Sequence, residues 1–191
     1  MKIYERIPTF ENDHFVIREV LESDIKDLTK VYGDKYALPF FNSDNCKGDI
    51  FYYHTIKKMK EAFNFWEYSY RNRYFARLSI FNKKVKKVIG TIEICMRVSK
   101  DESTNVIIFR LDVASKYEQT VVLKDIIDLI VPHIPNETGL KQIVTKVPLY
   151  AVERTKAFKN YGFKPTDTYL VGEDGYPYKD YWMINTINLS T

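Results

Sequence analysis

Apolar and polar residues alternate early in the chain and then switch to a helical period. The segment Phe15–Glu19 predicts a first strand. A short helix should follow, because Ser23 is a good N-cap and apolar residues continue at helical spacing until Gly33. A longer helix is predicted from about Asp49 to Tyr68, where several apolar residues fall on one face. These are Ile56, Met59, Phe63 and Trp66.

The middle of the chain carries three strand patterns. Tyr74–Phe81 and Val88–Met96 flank a polar turn, Asn82-Lys83-Lys84, and together predict a hairpin. The next segment, Asn105–Val113, is β-branched and almost continuously apolar. That pattern is typical of a strand covered on both faces.

Helical and strand periods alternate in the last third of the chain. Thr120 is a candidate cap for a helix that ends near Pro132, and Gly162 is a candidate C-terminal stop for a second helix. The predicted elements after Pro132 are a strand at Ile143–Val147, a helix at Val152–Asn160, a strand at Tyr169–Val171, a turn at Gly172–Gly175 and a strand at Tyr178–Leu189.

The resulting order is β-α-α-β-β-β-α-β-α-β-β. A helix that joins two strands calls for parallel pairing, whereas the hairpin calls for antiparallel pairing. No Gly-, Ser- or Pro-rich linker divides the chain. We therefore expect one α/β domain over residues 1–191, with a mixed, mostly antiparallel, twisted sheet and helices on both of its faces.

Charge and composition narrow the classes of partner. The chain has 29 basic and 25 acidic residues, a net charge of +4, and the acidic residues are mixed among the basic ones. This balance disfavours nucleic acid and is compatible with a small phosphate-bearing ligand. The clearest basic cluster, Lys83, Lys84, Lys86 and Lys87, surrounds the predicted hairpin turn, where a solvated turn is the simpler explanation. The aromatic content of 15% leaves a homodimer possible.

Cysteine usage and hydropathy favour a cytoplasmic protein. Cys46 and Cys95 have no CxxC spacing, so neither a disulfide framework nor a structural zinc site is expected. The N-terminus has no apolar signal segment. The longest strongly apolar stretch, 126–134, is too short to span a bilayer. No His or carboxylate pair stands at metal-ligand spacing, and we expect no metal.

Three segments resemble the GNAT (GCN5-related N-acetyltransferase) family. Ala157–Lys164 is similar to the corner in which the family's late helix meets a Gly-Phe pair, and Tyr178–Ile184 to its last strand. The opening Val16–Val20, followed by Ser23 and Asp24, is similar to the start of the subgroup that acetylates protein N-termini. The resemblance implies an acyl-CoA N-acyltransferase fold, acetyl-CoA as cosubstrate and an amine acceptor, either a small molecule or a protein N-terminus.

The resemblance also implies where the donor would bind. The pantetheine arm would lie beside the strand that ends in Leu111 and Val113. The pyrophosphate would meet a turn that opens the next helix, where free N–H groups attract anions. The corresponding turn residues are Lys116, Glu118, Gln119, Thr120, Val121, Val122 and Leu123.

This turn departs from the family pattern. Glu118, Val121 and Leu123 stand where the family has Arg or Gln, Gly, and Gly or Ala, and no glycine occurs between Gly90 and Gly139. Glu118 would repel an anion unless it points away, whereas Lys116 would offset part of that charge.

Acetyl transfer needs a base for the amine and an acid for the leaving thiolate. Asp112 is a candidate base, and its alternative is an ion pair with Arg110 or a solvated strand end. Glu93 either faces the acceptor or lies on the outer face of the sheet. The family's usual tyrosine is replaced by Phe158, which leaves Tyr150 as the candidate acid, or Tyr161 beside the corner.

Three hypotheses follow from the sequence, and the third, a nucleic-acid-binding protein, rests only on the modest positive charge. The first is an acyl-CoA-dependent N-acyltransferase. The second is a GNAT scaffold that has lost catalysis and serves as a binding or regulatory module. An enzyme should have an open gap beside Asp112, whereas a repurposed scaffold should have that gap plugged.

Overall fold

The computed structural model describes residues 2–41, 49–97, 105–167, 170–171 and 176–186. Its strands are β1 (Phe10–Glu11), β2 (Phe15–Glu19), β3 (Ala76–Asn82), β4 (Lys87–Arg97), β5 (Val106–Val113), β6 (Gln142–Lys146), β7 (Lys164–Pro165), β8 (Leu170–Val171), β9 (Pro177–Tyr178) and β10 (Tyr181–Asn185). Eight of them form one sheet of order β1-β2-β3-β4-β5-β6-β10-β7, and β8 pairs with β9. Within that sheet β5 and β6 are parallel and the other neighbours antiparallel. The predicted mixed, mostly antiparallel sheet is confirmed.

Helices cover both faces of the sheet, as predicted. They are α1 (Ile25–Tyr32), α2 (Ile56–Arg71), α3 (Thr120–Ile130), α4 (Ile134–Thr138) and α5 (Val152–Tyr161). The apolar residues of α1 and α2 form one core cluster, whereas those of α3, α4 and α5 belong to another. The sheet therefore separates two layers of helices.

Strand alternation decides which residues enter each layer. On β5, Phe109 and Leu111 face the α3–α5 layer and pack there with Ile127 and Phe158. The intervening β5 residues point toward α1 and α2, and so do polar residues of β3 and β4. This second set comprises Arg77, Ser79, Thr91, Glu93, Arg110 and Asp112, all of them buried.

The second predicted helix begins later than expected. Its N-cap is Thr55, whose hydroxyl accepts from the Lys58 amide at 3.2 Å, so α2 starts at Ile56 and not at Asp49. Tyr52, Tyr53 and His54 consequently precede the helix. Ile56 is exposed, whereas the remaining three residues of the predicted apolar face are buried.

Helix termini show two further corrections and one confirmation. Asp24, not Ser23, is the N-cap of α1. Gln119 is the N-cap of α3, and Thr120 is its first helical residue. Gly162 ends α5 with φ = 116°, a conformation that glycine adopts without steric cost.

The last predicted strand is divided in the structure. Residues 177–178 form β9 and residues 181–185 form β10, with Asp180 at a positive φ of 64° between them. The predictions for Cys46, Tyr169, the Gly172–Gly175 turn and Leu189 fall outside the described residues.

Candidate donor and acceptor site

The gap between β5 and β6 is the main feature of the sheet. The two strands pair at Ile107 with Ile143 and at Ile108 with Val144. Beyond these pairs, β5 continues to Val113 along β4, and β6 continues to Lys146 along β10. Within the described sheet, the edge of β5 from residue 109 to 113 therefore has no strand partner on the β6 side.

The N-termini of two helices lie at the end of this gap. The chain leaves β5 through the turn at Ser115–Tyr117 and enters α3, and it leaves β6 at Val147 and enters α5. Free amides and the positive end of the helix dipole make such termini favourable places for an anion. Both termini carry acidic residues close by, namely Glu118 before α3 and Glu153 in α5.

Glu118 forms a buried ion pair with Arg154 of α5. Arg154 Nε donates to Glu118 Oε1 at 2.7 Å and Nη2 donates to Oε2 at 2.8 Å, a bidentate geometry. Burial lowers the pKa of Arg154, but Glu118, with smaller contributions from Asp112 and Tyr150, raises that pKa above its ordinary value. The charge of Glu118 is therefore neutralised within the protein, and Arg154 spans from α5 to the turn before α3.

The Glu153 side chain extends from α5 to the first turn of α3. Its Oε2 accepts from the Thr120 amide at 3.0 Å and from the Thr120 hydroxyl at 2.6 Å. These bonds, together with Lys156, lower the pKa of Glu153 to about 2. The Glu153 carboxylate thus accepts the hydrogen bond of the Thr120 amide, which the resemblance assigns to a donor phosphate.

The other predicted donor residues lie in different environments. Leu123 is fully buried in the core, whereas Val121 is 80% exposed. Lys116 is exposed, and the Gln119 side chain donates to the Lys116 carbonyl at 2.7 Å. The side chains of Leu111 and Val113 are in the core, and Val122 is partly buried. The bulk of Val121 and Leu123 lies in solvent and in the core, whereas the Glu153 carboxylate binds the amide and the hydroxyl of Thr120.

Asp112 is almost fully buried on the α1–α2 face. Its Oδ2 accepts from the Tyr32 hydroxyl at 3.0 Å, and it lies 3.3 Å from Arg77 Nη1 and 3.5 Å from Arg110 Nη2. Its Oδ1 is buried and has no hydrogen-bond partner among the described residues. The ion pair with Arg110, one of the two alternatives for this residue, is present.

Glu93 lies in the same buried cluster. The strand register places Arg77, Glu93 and Arg110 directly opposite one another across β3, β4 and β5. Glu93 pairs with Arg77, and Arg110 Nη1 is 3.7 Å from Glu93 Oε1. Burial lowers the pKa of Arg77, but Glu93 is the foremost of several groups that raise it above its ordinary value. Glu93 is therefore on the face covered by α1 and α2 and not on an outer face.

Aromatic rings close this cluster against α1 and α2. The Arg77 guanidinium lies 4.5 Å from the Trp66 ring centroid, and the Arg110 guanidinium lies 3.9 Å from that of Phe51. Tyr32 is fully buried, and its hydroxyl also lies 2.7 Å from Thr91 Oγ1. Burial raises the pKa of Tyr32 above its ordinary range.

The structure does not bring Tyr150 into this cluster. Tyr150 is 61% exposed at the N-terminus of α5, and its hydroxyl donates to the Pro39 carbonyl. Phe158 is fully buried against Phe109 and Phe163, with ring centroids 6.3 and 5.0 Å away. Burial foremost, and Asp128, raise the pKa of Tyr161 to about 12.

The described part of the chain has two surface cavities. One, of about 470 Å³, is lined by His14, Lys83, Lys84 and the first turn of α3. The other, of about 310 Å³, lies beside Leu21 and Phe63. Over the described ranges, no cluster of three or more His, Cys, Asp or Glu side chains is arranged to hold a metal ion. In the same ranges, no helix has the length and apolarity that crossing a membrane requires.

Sequence reasoning missed four residues that organise the site, namely Tyr32, Arg77, Glu153 and Arg154. A signal existed for Arg154, because it stands among Ala151, Ala157 and Phe158 on the apolar face of α5. A charge in that position requires a buried partner. Arg77 likewise alternates with apolar β3 residues. No local pattern marks Glu153, whose partner is 33 residues away.

Comparison with known proteins places this geometry in a fold class. No family model and no curated protein matches the chain. Among solved structures, Mycobacterium smegmatis RimJ in complex with CoA-disulfide is 14% identical, with a TM-score of 0.72 over 96% of this chain and 88% of that one. Ribosomal-protein-S5-alanine acetyltransferase from Vibrio fischeri is 15% identical, with a TM-score of 0.65 over 92% and 94%. Spermidine N-acetyltransferase from Vibrio cholerae, in complex with CoA and spermine, is 13% identical, with a TM-score of 0.65 over 92% and 98%.

The chain therefore has the fold of the GNAT acetyltransferases. The resemblance identified from the Gly-Phe corner and the last strand is confirmed at this level. Two of these solved structures contain CoA or a CoA derivative, and one of those also contains a polyamine.

Proposed function

We propose that the protein is an acyl-CoA-dependent N-acyltransferase that transfers an acetyl group from acetyl-CoA to an amine. The observation that carries this proposal is the divergence of β5 from β6 after two residue pairs. The divergence leaves backbone donors and acceptors of β5 available to the amide groups of a pantetheine arm. The GNAT fold and the CoA-containing structures that share it support this choice of donor.

The donor side combines favourable and opposing groups. The Glu118 charge is offset by Arg154, and Lys116 is exposed near the turn. The first-turn amides of Val121 and Val122 have no acceptor one turn back within α3, as at any helix start. Against these stands Glu153, which already accepts from Thr120. The residues fit the phosphates only if Glu153 leaves this position, which its partial exposure permits.

On the acceptor side, we assign Asp112 to proton removal. Its Oδ1 has no hydrogen-bond partner among the described residues, while Oδ2 is held by Tyr32 and two arginines. Because the carboxylate is buried, it would take the amine proton through a water molecule. Glu93 pairs with Arg77 and lies near Arg110, so the positive charge of the two arginines would be shared between Glu93 and Asp112. The acceptor is an amine, on a small molecule or a protein N-terminus.

Tyr150 is assigned to the return of a proton to the leaving thiolate, because it is exposed just before α5 at the end of the gap; its hydroxyl would have to leave the Pro39 carbonyl to donate there. Tyr150→Phe should lower kcat about 10²–10⁴-fold while the Kd for CoA stays within about twofold. Steady-state acetylation kinetics and titration calorimetry test this, with Tyr74→Phe, an exposed tyrosine between α2 and β3, as control. An unchanged kcat would remove Tyr150 from the mechanism.

A second function is favoured by a specific observation. Glu153 and Arg154 tie the N-terminus of α5 to that of α3 beside the gap. In a scaffold that no longer binds acyl-CoA, these contacts would stay in place and keep the donor end of the gap blocked. It would then be a non-catalytic binding or regulatory module with the GNAT fold.

Titration calorimetry of the folded protein with acetyl-CoA and with CoA separates the two functions. Micromolar binding, followed by acetyl transfer in a screen of polyamines and peptide N-termini, supports the enzyme. No binding up to millimolar concentration, with a cooperative thermal transition that shows the protein is folded, refutes the enzyme and leaves the scaffold.

A further inference from the structure

We propose that Glu153 is the residue that sets the affinity of this protein for phosphate-bearing donors, because its carboxylate holds the position on α3 that a donor phosphate needs. This inference rests on the proposed function, since it concerns the same donor site. The Glu153 carboxylate, on the neighbouring helix α5, would compete with the donor phosphate for Thr120.

The Glu153 carboxylate binds Thr120 as an external anion would. One carboxylate oxygen of Glu153 takes both the amide and the hydroxyl of Thr120, at 3.0 and 2.6 Å. Thr120 is the first residue of α3, an 11-residue helix, and its hydroxyl also lies 3.2 Å from the Glu153 carbonyl. A donor phosphate at this turn would have to replace that oxygen and would be repelled by it while it remains.

Glu153 can leave without unfolding its surroundings. Its side chain is 44% exposed, and Lys156 Nζ lies 3.2 Å from Glu153 Oε1 as a second partner that would remain. The neighbouring Arg154 is different, since it is fully buried and both Glu118 oxygens bind it. The buried pair would keep α5 next to α3, while the half-exposed carboxylate moves.

The arrangement also accounts for the changed turn sequence. In this chain Leu123 lies in the core and Val121 in solvent, so neither side chain occupies the amide of Thr120. The amide of Thr120 is thus blocked by the charged side chain of Glu153, which can be displaced, and not by the bulk of Val121 or Leu123. Donor binding therefore becomes an exchange of one anion for another at the same amide.

The test compares CoA with pantetheine, which lacks the phosphates, on the full chain. Glu153→Gln keeps the size of the side chain and removes its charge. CoA should bind this variant about tenfold more tightly than it binds the wild type, the difference expected between charged and neutral hydrogen-bond acceptors. Pantetheine affinity should not change. Glu61→Gln, an exposed glutamate on α2, is the matched control for net charge and should leave both affinities unchanged.

Glu153→Asp separates contact from charge. The shorter carboxylate keeps the charge but no longer reaches Thr120, so CoA should bind this variant more tightly than the wild type and less tightly than Glu153→Gln.

The outcomes distinguish this inference from the proposed function. CoA binding to the wild type with the same Kd for Glu153→Gln overturns the inference and leaves the acyltransferase standing. Equal tightening for CoA and pantetheine also overturns it, because the phosphates would then not be involved. Binding by Glu153→Gln where the wild type shows none supports it. Absence of CoA binding by both proteins, each shown to be folded by its thermal transition, overturns both the inference and the function.

Discussion

Two sets of buried charges lie on opposite sides of β5, and they are built differently. On the α1–α2 face, Arg77, Glu93, Arg110 and Asp112 come from three adjacent strands and share their partners. On the α3–α5 face, Glu118 and Arg154 form one bidentate pair between two helix N-termini. The first set is a consequence of strand register, whereas the second depends on how two helices pack.

The two sets also differ in how completely they are satisfied. Both carboxylate oxygens of Glu118 accept a hydrogen bond from Arg154. In the strand cluster, Asp112 Oδ1 and Arg77 Nε are buried without a hydrogen-bond partner among the described residues. An incompletely satisfied buried network is costly to the fold, which is typical of a functional site, whereas a closed pair is typical of a structural clamp.

The largest expected effect comes from breaking the strand cluster. Arg77→Ala leaves Glu93 and Asp112 buried with a single remaining arginine, and removing one partner of buried charges costs about 3–5 kcal/mol. Urea unfolding should show this loss. Arg71→Ala, an exposed arginine at the end of α2, should stay within about 0.5 kcal/mol of the wild type. A similarly small change for Arg77→Ala would mean that water reaches the cluster.

A somewhat smaller effect is expected from the helix pair. Arg154→Met leaves the Glu118 carboxylate buried, and we expect a loss of about 3 kcal/mol in the free energy of unfolding. The double variant Glu118→Leu/Arg154→Met should recover most of it, because an apolar pair of similar volume replaces the ion pair. Failure of the double variant to recover stability would show that the pair does more than fill space.

The smallest effect is a pH dependence from Glu153. Its pKa in the folded protein is about 2, below the ordinary value of 4.5, because Thr120 binds the ionised form. Its contribution to stability is therefore fully present above pH 4.5 and is lost as the pH falls from there toward 2. Urea midpoints measured across this range should fall more steeply for the wild type than for Glu153→Gln. Asp24 and Asp34, whose pKa values are also lowered, contribute equally to both proteins and cancel in the difference. Parallel curves would show that the Thr120 contact does not persist in solution.

Much of the strand cluster was within reach of the sequence. Alternation on β5 puts Arg110 and Asp112 on one face, and the antiparallel pairing of β4 with β5 puts Glu93 opposite Arg110. The sequence offers both Asp112 and Glu93 as candidates, but it does not place them in one cluster. The sequence did not reveal that Arg77 and Tyr32 would enclose them, because Tyr32 comes from a helix that is 80 residues away from Asp112 along the chain.

The resemblance assigns the turn before α3 to the donor, but the charges around that turn come from elsewhere in the chain. The sequence identified Glu118 as a repulsive charge and offered Lys116 as its compensation. In the structure, Arg154 compensates Glu118, and Glu153 binds Thr120. Neither residue belongs to the turn, so inspection of the turn alone could not identify them.

The sequence by itself determined the fold class of this protein and most of its elements. Period-two and helical patterns are local, and so is the glycine at position 162 that ends α5 with a positive φ. The tertiary structure alone decided where β5 leaves β6, how the buried charges are paired and which carboxylate lies on α3. The β5–β6 pairing, the Glu118–Arg154 pair and the Glu153–Thr120 contact each join residues 33 or more positions apart, so their geometry is fixed only when distant elements pack together.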